Sequence, residues 1–233
     1  MTEKITMISL WRNDANRKIN DRIKHLLEKN REGLRYLWVV GDSTDHTEDI
    51  LRWTAEYHDN IVVLRYDTMI VGEDLITRWE RLSACVNAAF AAVRKEDDYV
   101  IVHESDIISP EDIVDKLVNH AREGRCPIAA WPMLGLVFYD VWAYRAYDND
   151  GKLTHFKNNY PYHDVYKPDE PFRVMSCGTL WILHAKDARW IRVVDRAVVE
   201  VCDILTTNGA QIWVDPTIIV TQPKDLWESW EWK

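Results

Sequence analysis

The sequence predicts an α/β fold in three layers, with a mostly parallel central sheet between two layers of helices. Two observations predict it. Across residues 1–125, apolar runs typical of buried strands alternate four times with stretches that carry a helical apolar stripe. The length of 233 residues and the apolar content of 47% also supply enough core for one large domain. We therefore expect a single αβα domain over residues 1–233.

The first half contains four strands and four helices in alternation. Asp45 and Glu48 have the spacing of a capping box at a helix start, and Ser109 with Pro110 supplies a cap and a first-turn proline for the last helix. In order, the predicted elements are strand 5–10, a helix containing 19–27, strand 36–40, a helix from 45 to about 58, strand 61–66, helix 75–93, strand 99–102 and a helix containing 113–121.

The second half is less regular. Buried strands are predicted at 127–137 and 175–183, and a last strand at 211–221 is interrupted by Pro216. Helices are predicted from about residue 185 and at 197–206. The tyrosine-rich segment 138–171 has no clear period, and segments of this length in compact domains are usually functional or mobile.

Composition narrows the classes of function. The net charge of −9 counts against non-specific nucleic-acid binding. The four cysteines, at 85, 126, 177 and 202, have no CxxC spacing, so we expect reduced core residues. The longest uncharged stretch, residues 126–139, is too short to cross a bilayer. We expect a soluble, cytoplasmic protein without a membrane segment.

Polar residues follow three of the predicted parallel strands, at the edge where ligands of such sheets bind. They are residues 12–14, 41–45 and 104–106. Neither a glycine-rich dinucleotide fingerprint nor a phosphate-binding P-loop is present. Glu104 and Asp106, two residues apart at a strand end, project to one side and offer hard oxygen ligands for Mg²⁺ or Mn²⁺. The alternative interpretation is a solvated acidic turn before a helix.

Two motifs in order give a sharper indication. The run Leu-Trp-Val-Val-Gly-Asp-Ser-Thr-Asp-His-Thr at 37–47 resembles the Asp-rich turn and helix start of family-2-like glycosyltransferases with the GT-A fold. The run Tyr-Val-Ile-Val-His-Glu-Ser-Asp at 99–106 resembles the stretch that contains their DxD motif. The resemblance covers residues 4–120. Residues 175–183 and 200–216 resemble the second half of the same enzymes, and 138–145 is similar to a segment of fungal capsule-type mannosyltransferases.

The resemblance implies a metal-dependent glycosyltransferase, either a hexosyl- or a pentosyltransferase, that uses a nucleotide-sugar donor. Residues 1–125 would bind the nucleotide sugar and residues 126–233 the acceptor. The implied cofactor is Mn²⁺ or Mg²⁺, held by Asp106 and Glu104 in a DxD-like motif. The donor-binding residues that it implies are Arg12, Asn13, Asp42, Arg81, Glu104 and Ser105, although Arg81 also fits an exposed helix charge.

An inverting enzyme of this kind needs a general base. The candidates are Glu200, which we favour, Asp203 and Asp140. A retaining enzyme needs none. Aromatic rings stack on sugars and on exposed bases, and the candidate acceptor-binding residues are Tyr139, Trp142, Tyr144 and Tyr162.

Two acceptors therefore stay open, a saccharide or a hydroxymethylated pyrimidine in phage-type DNA. The second would use a basic N-terminal cluster, which also fits an ordinary solvated helix face. The cluster consists of Arg12, Arg17, Lys18, Arg22, Lys24, Lys29, Arg31 and Arg35.

The sequence departs from the family pattern in four places. Gly41 stands where an acidic residue is usual, and Glu104 replaces the first aspartate of DxD. Val86 stands where an arginine usually precedes the helix asparagine, although Arg81 and Arg78 lie one and two turns earlier. No histidine follows the last strand, where Gln222 lies, and His163 or His184 would have to substitute for it. A non-catalytic nucleotide-sugar-binding module and a sugar nucleotidyltransferase are the alternative functions.

Overall fold

The computed structural model describes residues 2–16, 18–29, 31–70, 72, 74–134, 137–138, 140, 143–147, 152–155 and 169–223. The strands are β1 Ile5–Trp11, β2 Leu34–Val40, β3 Ile61–Arg65, β4 Tyr99–His103, β5 Ile128–Leu134, β6 Val137–Phe138, β7 Arg145–Tyr147, β8 Leu153–His155, β9 Phe172–Val174, β10 Leu180–His184 and β11 Ile212–Thr221. The helices are α1 Ile19–Leu27, α2 Thr47–Ala55, α3 Leu75–Ala91, α4 Ile113–Arg122, α5 Ala185–Trp190 and α6 Ala197–Thr207.

One large sheet has the strand order β3-β2-β1-β4-β10-β5-β11-β9, with β6 added beside β5. β1, β2, β3 and β4 are mutually parallel, and β5 is parallel to β11. β10 is antiparallel to β4 and to β5. The beginning of β10 therefore lies at the same sheet edge as the end of β4, which brings residues 176–179 next to residues 104–106.

Helices cover both faces of the sheet and enclose two apolar cores. The core on one face includes residues of α1, α2 and α4, and the core on the other face includes residues of α3, α5 and α6. Trp38 and Trp181, both fully buried, fill opposite cores. Alternation of side chains along each strand supplies both faces. The predicted αβα architecture is confirmed.

Three local predictions were wrong at helix starts and ends. α2 ends at Ala55, three residues before the predicted end. Only half of its capping box forms: Asp45 Oδ1 accepts the backbone N–H of Thr47 at 3.0 Å, whereas Glu48 pairs with Arg52 instead of closing on the helix start. α4 begins at Ile113, and the Ser109 hydroxyl contacts the His103 ring rather than capping that helix.

Only the second part of the predicted strand at 175–183 forms. β9 ends at Val174, before this segment begins; residues 175–179 leave the large sheet, and β10 begins at Leu180. The pairing register of β11 with β5 shifts between Asp215 and Ile219. Pro216, which was expected to interrupt this strand, lies within that interval. All four cysteines are free thiols, as expected. Within the described part of the chain, no helix combines the length and the apolar content that crossing a bilayer requires.

Candidate active site

Hydrogen bonds connect the loop that follows β1 to the loop that follows β2. The backbone N–H of Asn13 donates to Ser43 Oγ at 3.1 Å, and the backbone N–H of Thr44 donates to Asn13 Oδ1 at 2.8 Å. Asn13 and Asp42 have positive φ angles of 51° and 50°. Asn and Asp tolerate this left-handed conformation better than most residues. Two predicted donor-binding residues therefore lie on neighbouring, mutually fixed loops.

Asp42 is also bonded to the segment after β3. Thr68 donates its backbone N–H at 2.8 Å and its hydroxyl at 2.5 Å to the two carboxylate oxygens of Asp42. Each oxygen retains a second lone pair, so the carboxylate can still accept a hydrogen bond from a ligand. Arg81 donates to the Ile70 carbonyl at 3.4 Å and is only 6% exposed. It is a buried cation rather than a solvated helix charge.

The glycine at position 41 is explained by the thiol beneath it. A Cβ on Gly41 would lie 2.5 Å from Cys85 Sγ, well inside contact distance. Cys85 is buried on α3, and burial first, then the charge of Asp42, raises the pKa of its thiol to about 12. A side chain at position 41 would therefore require Cys85 to move.

A second group of side chains meets at the end of β4. The backbone N–H of Glu104 donates to the Thr179 carbonyl at 3.0 Å, which joins the end of β4 to the approach to β10. The side-chain amide of Gln222 donates to Asp106 Oδ2 at 2.7 Å. Three chain segments, at 104–106, 179 and 222, therefore meet at the end of β4.

Asp140 belongs to the same group. Its Oδ2 accepts a hydrogen bond from the Thr179 hydroxyl at 2.6 Å. Burial raises the pKa of the Asp140 carboxyl to about 6; the bond from Thr179 opposes the rise and the negative charge of nearby Asp106 adds to it. A Cβ on Gly178 would lie 2.6 Å from Asp140 Oδ2. The absence of a side chain at Gly178 therefore leaves room for the Asp140 carboxylate.

The donor atoms at this edge fit a divalent cation. No cluster of three His, Cys, Asp or Glu side chains that could hold a metal occurs in the described ranges. An amide extends the set, however: Gln222 Oε1 is buried, and no described residue bonds to it. Carboxylate and amide oxygens are the ligands that Mg²⁺ and Mn²⁺ prefer. Asp106 and Gln222 therefore offer two adjacent oxygen donors, and Glu104 lies two residues before Asp106 on the same turn.

Comparison of the whole chain with solved structures identifies the architecture. One similar structure is GalNAc-T7 with UDP, GalNAc and Mn²⁺, at a TM-score of 0.62 and 10% identity over 94% of this chain. Another is the mannosyltransferase PcManGT from Pyrobaculum calidifontis with GDP-Man and Mn²⁺, at a TM-score of 0.64 and 14% identity over 99% of this chain.

The chain has the GT-A fold. It spans 43% of the length of GalNAc-T7 and 60% of that of PcManGT. No protein-family model matches the sequence, and no curated protein does either. At these low identities the similarity establishes the GT-A fold, and the chemistry has to be argued from the site.

Within this GT-A fold, Glu200 has a structural role. One of its oxygens, Oε2, accepts backbone N–H groups of Val194, Asp195 and Arg196 at 2.7, 3.1 and 3.4 Å. The carboxylate thereby fixes the loop that leads into α6. These bonds account for the Oε2 atom of Glu200, and our preference for Glu200 as the general base stays an untested prediction.

Asp203 is also held by protein groups. It forms ion pairs with Arg145, which is buried, and with Arg196 at 3.1 Å. Arg145 in turn donates to Ser176 Oγ at 2.7 Å. Of the three predicted base candidates, Asp140 is the one bonded to the residues around the DxD-like motif.

The predicted acceptor aromatics divide into two groups. Tyr139, Trp142 and Tyr162 lie outside the described residues. Tyr144 is fully buried, and its hydroxyl donates to the Ala130 carbonyl at 2.7 Å. Because both faces of its ring are packed inside the core, we withdraw Tyr144 as an acceptor contact.

Gln222, Thr179 and Cys85 were not among the predicted site residues. Gln222 follows the last strand, at the position where the family resemblance implies a histidine. Its side-chain amide, which offers an oxygen ligand, was the feature of the sequence that could have identified it. His184 does not substitute, because its ring stacks on Tyr99, at the opposite end of β4. His163 lies outside the described residues. Ser105 is half-buried between the two carboxylates.

Proposed function

We propose that the chain is a metal-dependent glycosyltransferase that moves a sugar from a nucleotide-sugar donor to a hydroxyl of a saccharide. One observation carries the proposal. Three distant parts of the sequence, at 104–106, 140 and 222, meet at the strand-end edge of a GT-A fold: Gln222 bonds to Asp106, and Asp140 bonds to Thr179, whose carbonyl accepts the backbone N–H of Glu104. Both solved neighbours were crystallised with a nucleotide or nucleotide sugar and Mn²⁺.

Asp106 and Gln222 would hold the divalent cation, and Glu104, on the same turn, would be a further oxygen donor. When bound, the cation neutralises negative charge on the diphosphate of the leaving group. The amide of Gln222 also limits the net charge of the site, since it supplies an oxygen without a further carboxylate. The proposal covers Mn²⁺ and Mg²⁺ alike, because both accept such oxygen ligands.

The donor nucleoside lies over the loops after β1 and β2. Asn13 and Asp42 lie on these loops, and Arg12 follows β1 directly. Arg81 is buried, and its charge acts on the same Cys85 thiol as the charge of Asp42, so it adds positive charge near these loops. A preorganised cation of this kind attracts phosphate without reorganisation during the reaction.

Asp140 acts as the general base. Its carboxylate is fixed by Thr179, and the charge of Asp106 acts on it, so both carboxylates lie at the end of the sheet where an acceptor hydroxyl would give up its proton. A base with a pKa near 6 is ionised at neutral pH and still accepts a proton effectively. Use of a protein base implies a single displacement with inversion.

A saccharide is favoured over DNA because the basic cluster is largely committed inside the protein. Arg22 is buried and pairs with Asp14 at 2.9 Å. Lys29 is 2% exposed, and Arg31 pairs with two carboxylates. Arg17 lies outside the described residues. These cations are not a solvated stripe that could follow a phosphate backbone.

The test is a screen for product mass. The protein is incubated with Mn²⁺, a panel of nucleotide sugars, and either oligosaccharides or hydroxymethylated DNA. Transfer to an oligosaccharide supports the proposal. Transfer to DNA that weakens steeply with salt would replace the saccharide by the nucleic acid.

Two other outcomes identify the alternative functions. Nucleotide-sugar binding without hydrolysis or transfer indicates a non-catalytic module. Release of pyrophosphate from a nucleoside triphosphate and a sugar phosphate indicates a nucleotidyltransferase. Either result would overturn the proposed reaction.

A further inference from the structure

The turn that carries Glu104 and Asp106 closes on a buried histidine. His103, the last residue of β4, is fully buried. Its Nδ1 lies 2.8 Å from the carbonyl oxygen of Glu104, and its Nε2 lies 2.9 Å from Ser109 Oγ. The ring therefore joins the first and last residues of the segment 104–109, which we name the 104–109 turn.

The bonding partners fix the orientation of the ring. A carbonyl oxygen only accepts hydrogen bonds, so Nδ1 of His103 carries a proton and donates to Glu104. The Ser109 hydroxyl, which can donate or accept, lies at Nε2, so both ring nitrogens have a bonding partner.

A second histidine supports Ser109 from α1. The backbone N–H of Ser109 donates to His25 Nε2 at 2.9 Å, and Lys29 Nζ donates to the same nitrogen at 3.0 Å and to the His25 carbonyl at 2.7 Å. Since His25 Nε2 faces two N–H donors, it is an acceptor and carries no proton. Lys29 is itself buried, so the whole chain of bonds lies beneath the turn.

The outer side of the turn is held independently. Ile108 and Thr221 exchange two backbone hydrogen bonds of 2.8 Å each, which attach the turn to the end of β11. This bridge fixes the turn next to Gln222, whereas His103 fixes the direction of the Glu104 carbonyl. The two anchors act at different points.

We infer that His103 is a positioning residue for the site: its ring, bonded at both nitrogens, holds the 104–109 turn in the shape that aims Glu104 and Asp106 at the ligand. The inference rests on the proposed function for the identity of that ligand. The hydrogen bonds of His103 to the 104–109 turn are present in the protein without any ligand. Residues that orient metal ligands commonly change metal affinity by about 10- to 100-fold when they are lost.

Two substitutions separate the positioning role from simple packing. His103→Asn keeps an N–H donor near the position of Nδ1, whereas His103→Leu fills a similar volume and donates nothing. His46→Leu is the control, because that histidine is exposed at the start of α2. Two quantities are measured: hydrogen exchange of residues 104–109 without metal, and the dissociation constant for Mn²⁺ alone by electron paramagnetic resonance.

We expect His103→Leu to speed exchange in the 104–109 turn at least about tenfold and to weaken Mn²⁺ binding by about 10- to 100-fold. His103→Asn should restore both to within about threefold of wild type, and His46→Leu should change neither. If His103→Leu does not fold, Ser109→Ala, which removes the hydroxyl and keeps the backbone N–H, takes its place.

Wild-type exchange in the turn and wild-type Mn²⁺ affinity in folded His103→Leu would overturn the inference. Equal losses in the Asn and Leu variants would overturn it too, since packing alone would then explain them. Absence of Mn²⁺ binding by the wild-type protein would contradict the proposed function. The exchange measurement would still show whether His103 holds the 104–109 turn.

Discussion

Gln222 donates its side-chain amide to Asp106 across 116 residues of sequence, at 2.7 Å. The bond ties the end of β11 to the turn after β4. It leaves the amide oxygen buried beside a carboxylate, with no bonding partner in the described part of the chain. A buried orphan acceptor is costly unless a ligand satisfies it. The pair therefore forms the centre of the proposed metal site.

We expect Gln222→Ala to weaken Mn²⁺ binding by about 10- to 100-fold, because the variant loses an oxygen ligand and the group that orients Asp106. Gln211→Ala, at an exposed position just before β11, should leave the affinity unchanged. Titration calorimetry with Mn²⁺ and a nucleoside diphosphate measures both. Equal affinities in the two variants would remove Gln222 from the site.

Asp140→Asn should lower kcat by about 10²- to 10⁴-fold, with little change in the KM for the donor, because it removes the proposed base. In the wild-type enzyme, kcat/KM should fall as the pH drops below about 6, where burial and the charge of Asp106 place the pKa of Asp140. The sign follows from the reaction, which needs the ionised carboxylate.

The matched control is Asp203→Asn. Its carboxylate pairs with Arg145 and Arg196 rather than with the DxD-like turn. We expect it to retain the acidic limb of the pH profile. A profile that keeps this limb in Asp140→Asn and loses it in Asp203→Asn would assign the base to α6 instead.

Glu200→Ala should lower the free energy of unfolding by about 0.5–2 kcal/mol, since three backbone N–H groups before α6 lose their acceptor. The activity per folded molecule should remain at the wild-type level. Urea unfolding and kcat on the same samples test this, with the exposed Glu170→Ala as control. A large fall in kcat without loss of stability would instead support Glu200 as a catalytic group.

Gly41→Ala should destabilise the fold by about 1–3 kcal/mol, because its Cβ would overlap Cys85 Sγ. Cys85→Ala removes the sulfur, so the double variant should recover at least about 0.5 kcal/mol of the cost in a double-mutant cycle. Cys177→Ala, at a thiol buried against α6, is the control and should show no coupling. Additive effects of Gly41→Ala and Cys85→Ala would refute the steric explanation.

The sequence predicts the first half of the fold well because each strand there is a mainly apolar run. Stretches with a helical apolar stripe separate these runs. The second half is harder, since residues 176–179 are buried but leave the large sheet, which an apolar pattern alone does not reveal. Ser109 illustrates the same limit: its local sequence favours a helix cap, and a tertiary contact with His103 overrides it.

The site was predicted in part for a similar reason. Strand ends mark where Asn13, Asp42, Glu104 and Asp106 lie, so a pattern along the chain finds them. The places of Gln222 and Asp140 depend on how β10 and β11 pair with the sheet. Glu200 was favoured on position in a helix, whereas its bonds to the preceding loop depend on three-dimensional geometry.

The most direct test of the central claim is release of nucleoside diphosphate from nucleotide sugars in the presence of Mn²⁺. Wild type is compared with Asp106→Ala and with Asp112→Ala, an exposed aspartate at the start of α4. The account predicts release by wild type and Asp112→Ala, and a loss of at least about 10²-fold in Asp106→Ala, since removing a key electrostatic contact commonly costs that much. Undiminished release by a folded Asp106→Ala protein would contradict it.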